Sequence, residues 1–223
     1  MQKQPAKKTV QGTIEEALKK LNINTKVMHA GRTDRGVHAL NQVIAFKTPD
    51  YWNEQKLKNS LNKILKPSIY IKNLQKTHNG FNPRFDAKKR SYRYVITNKF
   101  TPFNANYTTF YPNQIDIGKI NKSLQLFIGM HDFEYFAKTG SEVNSYIREI
   151  YQAKMFTYKN LYIIKITGNG FLRGQIRLIV DFILKINEGK LTINDLKNQL
   201  MKKELISKHL ASPNGLYLER IWY

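Results

Sequence analysis

The sequence predicts an α+β chain of two α/β sandwich halves joined through a mainly antiparallel sheet. Apolar residues at helical spacing alternate with strand-like runs in both halves, the pattern of helices laid on one face of a sheet. Between the halves, a stretch with Pro102, Pro112 and several Asn residues breaks the periodicity. With 223 residues and 41% hydrophobic content, the chain can bury one large core or two small ones. The expected organisation is an N-terminal α+β domain over residues 1–98, a linker over 99–113 and a C-terminal α+β domain over 114–223.

Val10, Ile14, Ala17, Leu18 and Leu21 fall on one face of a first helix, with Gly12 its weak point. A strand over 26–30 runs into a turn at Asp34, and 42–47 reads as a second strand. Leu57, Leu61, Ile64 and Leu65 mark a second helix that stops before Pro67. Strands are expected at 68–74 and 91–97, and in the latter Tyr92, Tyr94 and Ile96 share a face. Beyond the linker come a helix around Ile120, Leu124 and Phe127, strands over 147–158 and 161–167, and an apolar helix over 171–187. A helix over 193–201 and a strand over 216–222 close the chain, which carries no low-complexity run or short-period repeat.

Lysine and arginine number 37 against 16 acidic residues, a formal net charge of +21. Neutralising phosphate is the commonest use of such an excess, so a nucleic-acid partner is expected. An anionic membrane would need a basic amphipathic helix or a long apolar span, and no apolar run reaches transmembrane length. The polar N-terminus lacks the apolar segment of a secretory signal. With no Cys, disulfide frameworks and cysteine-based zinc sites are excluded. These features predict a cytoplasmic, nucleic-acid-associated protein with no membrane partner. Many of the 13 Tyr and 12 Phe lie near Lys or Arg, where they could stack on bases, but packing in strands explains most of them.

Chemistry concentrates in Gly31-Arg32-Thr33-Asp34-Arg35-Gly36-Val37-His38-Ala39-Leu40. A carboxylate between two guanidinium groups suits an anionic nucleophile or base facing a polyanionic substrate, and the bracketing glycines let the backbone pass close to something bulky. The same residues also suit a tight turn organised by the Thr33 and Asp34 side chains.

Rival motifs fare less well. Gly168-Asn169-Gly170 with Gly174 follows a strand and opens a helix, as phosphate-binding turns do, but lacks the Lys-Ser/Thr of a P-loop and a following parallel strand ending in an acid. On that helix, Arg177 is placed either to pair with Asp181 at the surface or to clamp a buried carboxylate such as Asp34; its apolar neighbours favour the clamp. His29, His38, His78, His131 and His209 are dispersed without zinc-ligand spacing, and no Gly-x-Ser-x-Gly elbow occurs. His131 and Asp132 read as structural.

Gly31–Leu40 closely resembles the catalytic signature of the tRNA pseudouridine synthase A family, usually Gly-Arg-Thr-Asp-Ala-Gly-Val-His-Ala. The similarity continues through Phe81-Asn82-Pro83-Arg84-Phe85-Asp86-Ala87 into Arg90-Ser91-Tyr92-Arg93-Tyr94. It returns at His131-Asp132-Phe133, at 168–177, and at Ala211-Ser212-Pro213-Asn214-Gly215-Leu216-Tyr217-Leu218. The resemblance implies the pseudouridine synthase fold, with RRM- or ferredoxin-like halves. It also implies conversion of uridine to pseudouridine at positions 38, 39 and 40 of the tRNA anticodon stem-loop, without metal or organic cofactor, by a homodimer. Asp34 matches the essential carboxylate, acting as nucleophile or as base, and Arg177 the basic residue that pairs with it. Tyr92 matches a tyrosine that stacks on the uracil, Leu216 an apolar wall of the base pocket, and Arg32 an RNA contact that fills the space of the flipped nucleotide.

The chain departs from the family pattern in three places. It opens at Met1-Gln2-Lys3-Gln4-Pro5, inside the pattern, so the first N-terminal strand and its Tyr-Asp-Gly segment are expected to be missing. Arg35 stands where Ala is usual, adding a further RNA-facing charge beside Asp34, and Gly174-Gln175 replaces a His-Met-like pair. The alternative function is an RNA-binding scaffold whose catalysis is impaired by the missing strand.

Overall fold

The structure, a computed structural model, describes all residues except 3, 5, 6, 141 and 142, so Lys3 and Pro5 of the opening stretch lie outside the described residues. Along the chain run α1 (Val10–Lys20), β1 (Met28–His29), β2 (His38–Ala39), β3 (Ile44–Ala45), α2 (Glu54–Leu65), β4 (Lys89–Thr97) and β5 (Thr109–Phe110). Then follow α3 (Ile117–Gln125), β6 (Gly129–Asp132), a 3-10 turn (Glu134–Phe136), β7 (Ile147–Tyr158), β8 (Leu161–Gly168), α4 (Gln175–Asn187), α5 (Ile193–Leu200) and β9 (Leu216–Trp222). They form two compact units, one of Met1–Asp34 with Gln42–Ala87, the other of Arg35–Asn41 with Lys88–Tyr223. Among the described residues no helix is long and apolar enough to cross a membrane.

In the first unit, α1 and α2 bury Ile14, Leu18, Leu57 and Leu61 in one small core. Each helix starts where a side chain accepts the first exposed amides, Thr9 for Gly12 and Asn53 for Gln55 and Lys56. The strands expected over 26–30 and 42–47 shrink to an antiparallel pair, Met28↔Ala45 and His29↔Ile44. Beyond that pair, α1 side chains take over the hydrogen bonding: Glu15 Oε1 accepts from Val27 N at 3.2 Å and Gln11 Nε2 donates to Val27 O at 3.1 Å. Residues 68–74 form no strand, which corrects the expectation. The buried Asn62 amide serves both backbone groups of Ile71 instead, accepting from its N–H at 2.7 Å and donating to its C=O at 3.0 Å, while Ile69, Ile71 and Leu74 pack on the core. Their apolar spacing reports burial, not a ladder.

The second unit is a mixed seven-stranded sheet in the order β2-β9-β4-β8-β7-β6, with β5 beside β4. β2 lies parallel to β9 and β5 parallel to β4; the other pairs are antiparallel. β4 is thus hydrogen-bonded between β8 and β9, within the second unit. The Pro- and Asn-rich stretch after it contributes β5, and Tyr111 N donates to Thr97 O at 2.9 Å. Alternate residues, Tyr94 and Ile96, Ala153 and Met155, Ile164 and Ile166, enter one core with α3 and α4. The intervening residues, Arg93, Lys154 and Lys165, therefore belong to the opposite face of the sheet. α4 begins at Gln175, four residues later than the apolar run suggests, because its N-cap Gly174 is left-handed at φ 74°.

Candidate active site

The signature stretch is shared between the units. Asp34 ends the first segment of unit one, and Arg35 opens the short segment of unit two. In the first unit Ala30 N donates to Val43 O at 3.0 Å and Gln42 Nε2 to Gly31 O at 2.9 Å, fixing the backbone that leads to an exposed Arg32 and a partly buried Asp34. Burial, and after it the Arg32 charge, push the nearby His29 below its ordinary value.

In the second unit Arg35 is exposed and the chain turns at Gly36, φ 81°. A Cβ on Gly36 would lie 2.9 Å from Pro213 Cγ and 3.0 Å from Asn214 Oδ1, whereas one on Gly31 would meet nothing within 4 Å. Of the two bracketing glycines, Gly36 alone makes a close approach, and what it approaches is the chain's own 213–214 turn. β2 then registers His38 with Tyr217 and Ala39 with Leu218, and Leu40 N donates to Leu218 O at 2.8 Å.

Tyr92, Arg177 and Leu216 are placed in this unit. Tyr92 meets Phe171 edge to face, centroids 5.3 Å apart, and is cross-strand partner of Leu218. Leu216, 6% exposed, lies opposite Tyr94. Arg177 Nε donates to Ala211 O at 2.6 Å, and Ala211 N donates back to Arg177 O at 3.2 Å, tying α4 to the segment that leads into β9. The same segment is held by Tyr94, whose hydroxyl donates to Ser212 O and accepts from Thr109 Oγ1, both at 2.8 Å. Burial, against that Thr109 hydrogen bond, leaves the Tyr94 phenol pushed up to about 12, so it stays a neutral tether. The alternative partner for Arg177, Asp181, is engaged by Lys185 at 2.9 Å and by His209 at 2.6 Å.

The glycine-rich turn before α4 serves packing. A Cβ on Gly168 would sit 2.6 Å from Glu149 O, and the Gln175 side chain, fully buried, accepts from Leu172 N at 2.8 Å. Sequence reasoning missed Glu219, an acid 8% exposed in an otherwise basic strand region. Its carboxylate accepts from Ser91 Oγ at 2.7 Å and Arg93 Nε at 2.6 Å, and pairs with Lys165 at 3.2 Å. Burial alone would raise this carboxyl, but the hydrogen bonds from Ser91, Arg93 and Lys165 outweigh it and hold Glu219 below the usual carboxylate range. Also unforeseen is the stacking of His38 between Tyr217 and Tyr107. Among the described residues, no three His, Cys, Asp or Glu side chains gather to hold a metal ion.

A family described as tRNA pseudouridine synthase matches residues 1–86 and 124–223 of the chain. Among similar proteins, the tRNA pseudouridine synthase A of Campylobacter jejuni subsp. doylei is 43% identical over 222 residues, covering 99% of this chain and 92% of the relative. That of Helicobacter pylori is 40% identical, covering 99% and 92%, and that of Helicobacter hepaticus 38% identical, covering 100% and 92%.

Proposed function

Because the chain belongs to the tRNA pseudouridine synthase family, we propose that it isomerises uridine to pseudouridine in the tRNA anticodon stem-loop, at positions 38, 39 and 40, with Asp34 as the catalytic carboxylate. The observation that carries this reading is identity along nearly the whole chain together with an intact Gly31–Leu40 signature. In the reaction the bond from the base nitrogen N1 to the sugar C1′ breaks and one from C5 to C1′ forms. The proton on C5 leaves and N1 gains one, so composition is unchanged. No water enters, so one carboxylate suffices where glycoside hydrolysis uses two. None of these steps calls for a metal or organic cofactor.

Arg177 is the basic residue of the same chemistry. Its anchorage on Ala211 gives the guanidinium a fixed direction, and a planar two-pronged cation suits a carboxylate. Tyr92, oriented by Phe171, stacks on the uracil, and the buried Leu216 supplies an apolar wall for the detached base. A stacked uridine hides its glycosidic bond, so the nucleotide is flipped out at a cost of a few kcal/mol, which contacts from the exposed Arg32 and Arg35 help to offset. The same reading takes the protein to act in the cytoplasm as a homodimer sharing its basic surface with one tRNA.

The test is to map pseudouridine by carbodiimide treatment and primer extension on a tRNA carrying uridines in and outside the anticodon stem-loop. Stops at positions 38 to 40 are expected. Stops confined to other regions would overturn the assignment of the region, and their complete absence would overturn the reaction.

A further inference from the structure

One row of side chains crosses the sheet face opposite α3 and α4. Cross-strand register places His38 on β2 beside Tyr217 on β9, Tyr217 beside Arg93 on β4, Arg93 beside Lys165 on β8, and Lys165 beside Lys154 on β7. Residues opposite one another in a ladder share a face, so these five form a line perpendicular to the strands, one step of about 4.8 Å per strand. Its first part is aromatic. The His38 ring stacks on Tyr217 at 4.8 Å and on Tyr107 at 5.5 Å. This ladder is pinned by Tyr217 Oη donating to Tyr107 O at 2.6 Å and by a hydrogen bond between His38 Nε2 and Asn106 O at 2.8 Å. Tyr107, its outer ring, is 57% exposed.

The second part of the row is cationic. Glu219 binds Arg93 and Lys165 together, so its charge offsets one of the three positive charges of Arg93, Lys165 and Lys154 and it fixes the direction of the Arg93 and Lys165 side chains. Lys154 stands exposed beyond them, its ammonium 5.7 Å from the Phe156 ring. Stacking rings that continue into a line of cations form the arrangement that tracks single-stranded nucleic acid, bases on the rings and phosphates on the charges. An apolar protein partner would find ordered cations here, and the net charge of +21 favours a polyanion.

We propose that the row Tyr107–His38–Tyr217–Arg93–Lys165–Lys154 is a tRNA-binding track, on which an unpaired base stacks against Tyr107 and the following phosphates lie along Arg93, Lys165 and Lys154. The proposal rests on tRNA being the substrate. The experiment measures tRNA affinity from low to high salt for the wild-type chain, Tyr107→Leu, Lys154→Gln with Lys165→Gln, and Lys203→Gln as a basic control away from the sheet. Circular dichroism and sedimentation are recorded for each.

The double lysine variant is expected to lose about 1.4–1.8 from the slope of log affinity against log salt, since each phosphate contact contributes about 0.7–0.9. Tyr107→Leu is expected to bind about tenfold more weakly with its slope unchanged, as loss of one stacked base implies. Wild-type affinity and slope in both folded variants would overturn the track, as would an equal change of slope in Lys203→Gln. A change of oligomeric state without a change in tRNA affinity would show that the row is a contact between copies and likewise overturn it. A wild-type chain that neither binds nor modifies tRNA would overturn the underlying function and the track with it.

Discussion

Replacing Gly36 and Gly31 separately by alanine should give opposite results from one short motif. Gly36 sits at φ 81° with Pro213 Cγ only 2.9 Å from where a Cβ would be. An L-residue in the left-handed region costs about 1–2 kcal/mol. Forcing a methyl group against the proline ring adds at least about 1 kcal/mol, the lower end of the cost of overpacking. Together these give about 2–3 kcal/mol, and at about 2–4 °C per kcal/mol for a chain of this size Gly36→Ala should melt about 4–12 °C below wild type. At Gly31 nothing lies within 4 Å and no left-handed φ is required. Gly31→Ala should therefore melt at the wild-type temperature or slightly above it, because alanine restricts the unfolded chain. Thermal unfolding followed by circular dichroism decides the matter. A Gly36→Ala protein that melts with wild type, or two variants displaced by the same amount, would refute the assignment of Gly36 to the 213–214 turn.

Tyr94→Phe removes the hydroxyl that links Ser212 O to Thr109 Oγ1 in a buried setting and should cost about 1–3 kcal/mol, seen as a lower melting temperature; an unchanged one would show that the tether carries no stability. Asn62→Ala strands both backbone groups of Ile71 and should destabilise by about 2 kcal/mol in urea titration, where an unchanged midpoint would contradict the strand-substitute role. Glu219 has a folded-state value below its unfolded one of about 4.3, so its contribution is full above that pH and fades as pH falls through the folded value. Glu219→Gln should accordingly melt below wild type at pH 7, with the gap closing below about pH 4. A gap that stays constant with pH would mean the carboxylate charge is not what the network uses.

Helices were legible because an amphipathic stripe is a local property: α1 buries Ile14, Ala17 and Leu18 of its stripe and α2 Leu57, Leu61 and Leu65, although Val10 at the start of α1 stays exposed. The long strands β4, β7, β8 and β9 were legible too, β4 through the alternation of Tyr92, Tyr94 and Ile96 with Arg93, Val95 and Thr97. β2 and β5, two residues each, are too short to leave a period. Residues 68–74 carry the apolar pattern of a strand while the backbone groups of Ile71 are taken by Asn62, and no pattern announces a side chain acting as a neighbouring strand. At the candidate site, Asp34 stood out in the sequence by its two arginine neighbours, but the purpose of Gly36 lay in Pro213, far along the chain. Glu219 was hidden by the bulge between Ser91 and Tyr92, which shifts the register of β9 against β4 and so obscures which residues it faces.

The central claim is that the Asp34 carboxylate drives pseudouridine formation in tRNA. The most direct measurement is tritium release from tRNA labelled at uridine C5, the carbon that becomes glycosidic, by the wild-type chain and by Asp34→Asn shown to fold and to bind tRNA. Release by the wild-type chain and none by the variant is the predicted result. Release by both at similar rates would remove Asp34 from the chemistry, and release by neither would contradict the reaction itself.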